Sequence, residues 1–294
     1  MATVKVIIVN YNAGKHLAHC VGSVLSATLP LTVVVADNAS SDDSIAALAN
    51  RFGLDSRLQI LRNEHNLGFA RAVNRVAREA REDYLLVLNP DCVLKADTIE
   101  QLVHALEVHP QAGVAGPWVT DESGSMQSGT WRRFPDPWRS LMTLSGVARV
   151  AGESTALAGV DLRGSAAPEA PVRVDAVSGA CLMLRRTAAQ KVGYYDEGYA
   201  MHCEDLDLMF RLTALGHYCV LVPQAAAVHA GGVSTASRPW WVHRHKHLGM
   251  QRFYRKFQAG EHAFPLRWAV YAGIWCHYLL TLPVVLVKRG FGRA

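Results

Sequence analysis

Carboxylates, amides, glycines and a histidine recur in this chain where apolar runs stop, and together they suit a diphosphate and a divalent cation. The run Tyr84-Leu85-Leu86-Val87-Leu88 ends at Asn89-Pro90-Asp91. A buried strand that delivers a carboxylate at its C-terminal end is how open α/β sheets build ligand sites. Asp91 fits Mg2+ or Mn2+, ions that take one or two protein carboxylates and fill their shell with substrate phosphate oxygens. Asn89 brings no charge and suits a ribose or sugar hydroxyl. The plain alternative is a turn, since Asp beside Pro is common there.

Five further places carry the same kind of chemistry. Val9 closes the first apolar run and leads into Asn10-Tyr11-Asn12, while Asp37-Asn38-Ala39-Ser40 follows the second. In a parallel sheet both stretches point to one edge. Tyr11 then offers a ring to stack on a pyrimidine, and Asp37 an acceptor for its ring N3–H; the alternative is a turn before a capped helix. Asn66-Leu67-Gly68 opens a third helix, where a glycine lets backbone approach a ligand and a helix N-terminus favours phosphate. Glu204 and Asp205 occupy the first turn of another helix. They either complement its dipole or supply a general base for an acceptor hydroxyl. His229-Ala230-Gly231-Gly232 follows the apolar run Tyr218–Pro223. A lone histidine is commonly structural, but at a strand end before two glycines it suits a cation's shell.

The elements that must position these groups are legible as a pattern. Apolar runs at Val4–Val9, Leu31–Ala36, Leu58–Leu61, Tyr84–Leu88 and Gly113–Gly116 alternate with segments of helical spacing. In 68–81, Ala70, Val73, Ala77 and Ala80 share a face. Ser40-Ser41-Asp42-Asp43 supplies an N-cap and first-turn acids, and the helix after the Asn-Pro-Asp corner runs from near Asp97 to before Pro110. Strands alternating with helices of this length predict βαβ units and a largely parallel sheet. From 117 to 175 Gly, Ser, Pro and Trp are frequent and periodicity is weak around 145–170, which predicts an irregular acceptor-side stretch. Order returns at Val174–Leu184, followed by a short helix near Thr187 and a longer one over 204–215. The expected organisation is a nucleotide-binding half at 1–116, an acceptor-binding half at 117–235, and a C-terminal segment at 236–294.

Composition narrows the class. The six cysteines show no CxxC pair, which argues for reduced thiols rather than a disulfide frame or zinc site. The N-terminus lacks the core and cleavage site of a signal peptide, so the catalytic part is expected in the cytoplasm. Residues 1–235 carry 20 Lys/Arg against 24 Asp/Glu, net −4, whereas 236–294 carry 10 against 1, net +9. A metal tract in the histidine-rich run 243–247 is disfavoured by the interleaved Arg244 and Lys246. Nucleic acid is disfavoured because the acidic body offers no continuous footprint. An anionic membrane surface suits the stripe of basic and aromatic residues over 238–256. Trp268 to Val287 is then a 20-residue stretch without formal charge, long enough for a bilayer helix. His277 and Pro283 lie inside it, and both flanks are positive. The expected state is peripheral or monotopic on the cytoplasmic face of the inner membrane, with a single span or a buried core helix as alternatives. Membrane attachment points to a polyprenyl-diphosphate-linked saccharide as acceptor.

The order of these motifs resembles glycosyltransferase family 2, whose members have the nucleotide-sugar-binding GT-A fold, and within it the rhamnosyltransferase-like branch. The matching stretches are Val6–Asn12, Ala36–Ser44, Asn66–Asn74, Leu88–Asp91, Val177–Arg186, Glu204–Arg211 and His229–Gly232. The resemblance implies a Rossmann-like, mostly parallel α/β sheet with helices on both faces, extended here by a membrane-associating helical tail. It implies that Tyr11 and Asp37 hold the base, that Asn89 and Asp91 form the Asp-x-Asp site, and that His229 joins the metal. Asp205 becomes the catalytic base with Glu204 beside it, in an inverting displacement from a dTDP-sugar, dTDP-rhamnose first. Asn89 departs from the first Asp of that motif, as in many rhamnosyltransferase-like members. A UDP-hexose donor and a catalytically silent subunit of the same fold remain alternatives. A sugar-1-phosphate nucleotidyltransferase is disfavoured, because Asn10-Tyr11-Asn12-Ala13-Gly14 lacks a Gly-rich basic phosphate loop.

Overall fold

The computed structural model describes residues 2–148, 158–162, 166–232 and 238–291, with side chains of the last helix as far as Leu286. The weakly patterned 145–170 stretch lies partly outside the described residues. In chain order the strands are β1 (Val4–Asn10), β2 (Leu31–Asp37), β3 (Leu58–Arg62), β4 (Tyr84–Leu88), β5 (Cys92–Leu94), β6 (Ala112–Thr120), β7 (Trp131–Arg132), β8 (Val172–Val174), β9 (Ala176–Val177), β10 (Cys181–Arg185) and β11 (Tyr218–His229). The helices are α1 (Lys15–Leu25), α2 (Ser44–Phe52), α3 (Phe69–Ala77), α4 (Thr98–Val108), α5 (Pro137–Ser145), α6 (Arg186–Lys191), α7 (Glu204–Ala214), α8 (Pro239–Phe257) and α9 (Phe264–Phe291).

Strands β3-β2-β1-β4-β10-β6-β11-β5 form one sheet, with β8 on β11. The first four are mutually parallel; the Val/Ile/Leu-rich β1, β2 and β4 are largely buried on both faces, as strands of a covered parallel sheet are, while β3 at the edge is only partly buried. One core packs α1, α2 and α4 on one face, and a second packs α3, α7 and Phe253 of α8 on the other. Ala70, Val73, Ala77 and Ala80 are all buried, as their spacing predicts.

Several elements depart from the sequence pattern. Val174–Leu184 becomes three short strands, and β10 inserts antiparallel between β4 and β6. Strand β11 continues past Pro223 to His229 through a register shift between Val222 and Ala226. That irregularity absorbs the missing proline donor. Asp43 stands at the N-cap of α2 without a side-chain cap bond, and the first-turn amide of Ser44 is instead met by Asp42 Oδ1 at 3.2 Å, which also accepts from the Ser44 hydroxyl at 2.5 Å.

The tail divides in two. On α8, Arg252 and Lys256 turn toward the body instead of joining a lipid-facing stripe. Arg252 pairs with Asp196 at 2.9 Å, and Lys256 bridges Asp196 at 2.7 Å and the fully buried Asp207 at 2.6 Å. A buried carboxylate needs such a counter-charge. On α9 the 23-residue apolar stretch Phe264–Leu286 is almost entirely unburied, with 6% buried over an 18-residue part of it, so the buried-core reading of this stretch does not hold. Its polar groups face α8: His277 Nδ1 lies 2.9 Å from His247 Nε2, and Tyr278 stacks on His243.

Candidate active site

The parallel strands end together, and Asn10 lies opposite Asp37 across β1 and β2. Fully buried Asn10 donates to Asp37 Oδ1 at 2.9 Å, to Ser40 Oγ at 3.0 Å and to Ser44 Oγ at 2.9 Å. Asp37 Oδ1 also accepts from the Ser40 hydroxyl at 2.6 Å. This pair therefore forms the floor beneath the site, while Val9, Tyr11, Asn38, Asn66 and Gly68 line the cavity above it. Arg238 donates to the Tyr11 hydroxyl at 3.2 Å and sits over its ring, a contact invisible in sequence because 227 positions separate the two. Asn38 reaches the Gly68 carbonyl at 3.3 Å and accepts from Asn63 at 2.8 Å, tying the second and third strand ends together. Gly68 starts α3 with φ of 81°, a left-handed value that glycine adopts without a Cβ penalty,.

The Asn-Pro-Asp corner meets the end of β11. His229 Nε2 lies 3.1 Å from Asp91 Oδ1 and 3.3 Å from Asn89 Nδ2. On the other side of the ring, Nδ1 lies 2.6 Å from Gln127 Oε1, while Gln127 Nε2 donates to the His229 carbonyl at 3.1 Å. An amide oxygen only accepts, so Nδ1 carries the proton and the Nε2 lone pair faces Asp91. Two acceptors at that separation call for a proton or a cation between them. Cis ligands about 2.1 Å from an ion stand about 3 Å apart, so the pair fits a small divalent cation, and imidazole with carboxylate suits Mn2+.

Glu204 and Asp205 open α7. Two successive residues before them, His202 and Cys203, hold φ of 62° and 67°. Such left-handed geometry costs roughly 1–2 kcal/mol per residue for side chains with a Cβ. Helix α8 backs this turn: a Cβ on Gly249 would sit 2.6 Å from the His202 carbonyl oxygen. Asp205 Oδ2 is 2.5 Å from Nη2 of Arg132, which also donates to the Val177 carbonyl. Gly179 makes room for this carboxylate, since a Cβ there would meet Asp205 Oδ2 at 2.7 Å. Burial, then the neighbouring Asp205 charge, pushes the Glu204 carboxyl up to about 8. Its Oε2 is buried without a hydrogen-bond partner among the described residues.

Asn89, Asp91, His229, Glu204, Asp205 and Arg132 all line one cavity of about 1950 Å3. Arg132, Gln127 and Gly179 are the residues that sequence reasoning missed as participants. Only Gly179, in a matched stretch, carried any signal.

Comparison with known proteins places the chain among relatives. The model of glycosyl transferase family 2 matches residues 5–159, and that of glycosyl transferase family group 2 matches 84–289. The chain is 32% identical, over 90% of its length and 88% of the relative's, to an N-acetylglucosaminyl-diphospho-decaprenol L-rhamnosyltransferase of Mycobacterium tuberculosis. It is 30% identical to the rhamnosyltransferase WbbL of Escherichia coli over 56% of this chain and 59% of that one. A mannosyltransferase of Pyrobaculum calidifontis, solved with GDP-Man and Mn2+, superposes with a TM-score of 0.58 at 18% identity, covering 99% of this chain and 76% of that one. That likeness shows the shared GT-A-like fold.

Proposed function

Because this chain belongs to glycosyl transferase family 2, we propose that it moves L-rhamnose from dTDP-rhamnose to a polyprenyl-diphosphate-linked saccharide at the cytoplasmic face of the membrane. The observation that carries the reading is that Asp205 and the Asp91–His229 pair share one cavity with Tyr11 and Gly68. The apolar, outward-facing α9 supports membrane association. The name of the 32% identical mycobacterial relative supports L-rhamnose as the sugar moved and a diphospho-polyprenol-linked saccharide as the acceptor class.

The reaction is a single in-line displacement. The acceptor hydroxyl oxygen attacks the anomeric carbon as the bond to the diphosphate breaks, and the electron pair leaves on the nucleoside diphosphate. The configuration inverts. Asp205 takes the hydroxyl proton. Each carboxylate oxygen has two lone pairs, so its bond to Arg132 leaves Oδ2 able to accept. Arg132 and Gly179 hold that carboxylate in one place, which serves proximity. Tyr11 stacks on the base above the Asn10–Asp37 floor, and the α3 N-terminus at Gly68 faces the diphosphate. Asp91 and His229 would hold Mg2+ or Mn2+, which neutralises charge on the leaving group. Asn89 lies beside them, within reach of a ribose or sugar hydroxyl.

The test is a thermal-shift panel of dTDP, UDP, GDP and their sugars with and without Mn2+, followed by turnover of Asp205→Asn. Stabilisation by a dTDP-sugar, with turnover lost in Asp205→Asn and nucleotide affinity kept, is the expected result. A UDP-sugar preference would move the donor assignment. Binding without turnover in the unmodified protein would mark a silent subunit, and unchanged turnover in Asp205→Asn would remove the base role.

A further inference from the structure

The active-site cavity does not end at the polar groups. Helix α9 lends it one face, with Leu266, Val270, Gly273, His277 and Leu280 at intervals of three and four residues, and α5 adds Trp138 and Leu141. Several apolar side chains of this end are open: Leu280 is 78% exposed, Leu141 53% and Trp138 52%. The α9 face spans about 21 Å from Leu266 to Leu280 at 1.5 Å per residue. Other apolar side chains of the same helix, Trp268, Leu279 and Val284, are exposed and do not line the cavity. One helix thus presents an apolar stripe to the cavity and another to its surroundings.

A cation stands where the two ends of the cavity meet. Lys246 of α8 lines the cavity, and no carboxylate pairs with it among the described residues. Its helix touches both ends: a Cβ on Gly249 would sit 2.6 Å from the carbonyl oxygen of His202, two residues before Glu204, and His247 Nε2 lies 2.9 Å from His277 Nδ1 of α9. A ligand crossing this junction passes from the Asp205 carboxylate, past an ammonium, to an apolar wall.

We infer that the α5–α9 end of the cavity is the subsite for the isoprenoid chain of the acceptor, and that Lys246 binds the diphosphate joining that chain to the saccharide. The order of chemistry along the cavity is that of the ligand: hydroxyl at Asp205, diphosphate at Lys246, hydrocarbon along α9. A membrane phospholipid in the same groove would place its headgroup where the acceptor sugar must sit. Continuity with the catalytic cavity therefore favours the acceptor's own chain, entering sideways from the bilayer that the outer stripe of α9 contacts. This inference rests on the lipid-linked acceptor proposed above and adds where its lipid is held.

Gly273 provides a probe. It lines the groove, and a Cβ built there meets nothing within 4 Å, so Gly273→Leu starts from open space and projects bulk into the groove. The experiment compares two acceptors in one detergent with dTDP-rhamnose as donor: a saccharide diphosphate on a long polyprenyl chain, and the same headgroup on a short alkyl group. Burial of a few methylenes predicts a KM at least about tenfold lower for the long acceptor. In Gly273→Leu the ratio of the two KM values falls toward one. The exposed thiol of Cys276, which also lines the cavity, gives a readout independent of turnover. Its maleimide labelling is slowed by the long acceptor more than by the short one. Equal KM values in the unmodified protein would overturn the inference while leaving the proposed activity standing. So would an unchanged ratio in Gly273→Leu, or loss of vesicle binding by that variant with the ratio intact, which marks a phospholipid contact. Turnover of neither acceptor by a protein that binds the donor would remove the proposed function, and this subsite with it.

Discussion

Gln127 Oε1 lies 2.6 Å from Nδ1 of His229, and the Gln127 amide nitrogen is held by the carbonyl of the same histidine. One glutamine thereby fixes both the tautomer and the rotation of a ring whose other nitrogen faces Asp91. The two residues are 102 positions apart, and the contact exists only because β11 returns beside β6.

Outer partners of this kind are worth about 10–100-fold in metal affinity. Gln127→Leu should therefore weaken Mn2+ binding, in the presence of nucleoside diphosphate, by about that factor. A titration of free Mn2+ by electron paramagnetic resonance checks it, and an unchanged affinity would show that the ring needs no such support.

Gly179→Ala places a methyl group 2.7 Å from Asp205 Oδ2, so the carboxylate and its Arg132 partner must shift. Displacement of a reacting group by about 1 Å costs on the order of 100-fold in rate. The expected outcome is a fall in kcat of that order with nucleotide affinity preserved, measured by steady-state kinetics beside a binding isotherm. Loss of both would mean that the β9–β10 turn had collapsed.

Glu204 supplies a pH dependence. Its folded-state value of about 8 lies above the ordinary 4.5, so between those limits the native chain binds more protons than the unfolded one. Stability must then fall as pH rises through this window, by at most about 1.4 kcal/mol per unit, and level off above it. Glu204→Gln keeps the shape and removes the titration. Melting curves from pH 5 to 8.5 should show the gap between variant and unmodified protein changing in the variant's favour as pH rises. A constant gap would mean that Glu204 is solvated.

The two halves of the tail should behave differently on truncation. Removing 264–294 takes away the outward apolar helix, so the remaining protein should fold and no longer float with anionic vesicles. Removing 236–294 also takes away buried Phe253 and Tyr254 and the Lys256 partner of buried Asp207. A Phe lost from a core costs about 3–5 kcal/mol by itself, so this shorter chain should melt far lower or fail to fold. Melting temperature and vesicle flotation of the two proteins decide the matter. Equal stability would mean that α8 is dispensable packing.

Most of the parallel half was legible because its signals are local. Short β-branched and leucine-rich runs such as Val6–Val9 and Tyr84–Leu88 read as buried strands between turn signals,, and in a parallel sheet the polar residues that follow share an edge. Asp91 and His229 stand out in that way, at the ends of apolar runs, whereas Glu204 and Asp205 stand out as the acids of a helix's first turn. Arg132 and Gln127 do not stand out, because each acts through a side chain on a short or irregular segment whose partner lies 73 or 102 positions away. The basic tail was misread in part for the same reason. Charge alone does not tell a lipid-facing lysine from one that neutralises a buried aspartate.

The sequence by itself determined the family, the parallel run of β1 to β4, and which residue types stand at the sheet edge, since periodicity and punctuation act over a few residues. Only the tertiary structure decided which of those groups face the cavity and which build its floor, as Asn10 and Asp37 do. It also set Arg132 against Asp205, Gln127 behind His229, and α9 along the same cavity. Those pairings join residues far apart in the chain through packing, and packing has no signature in any local stretch.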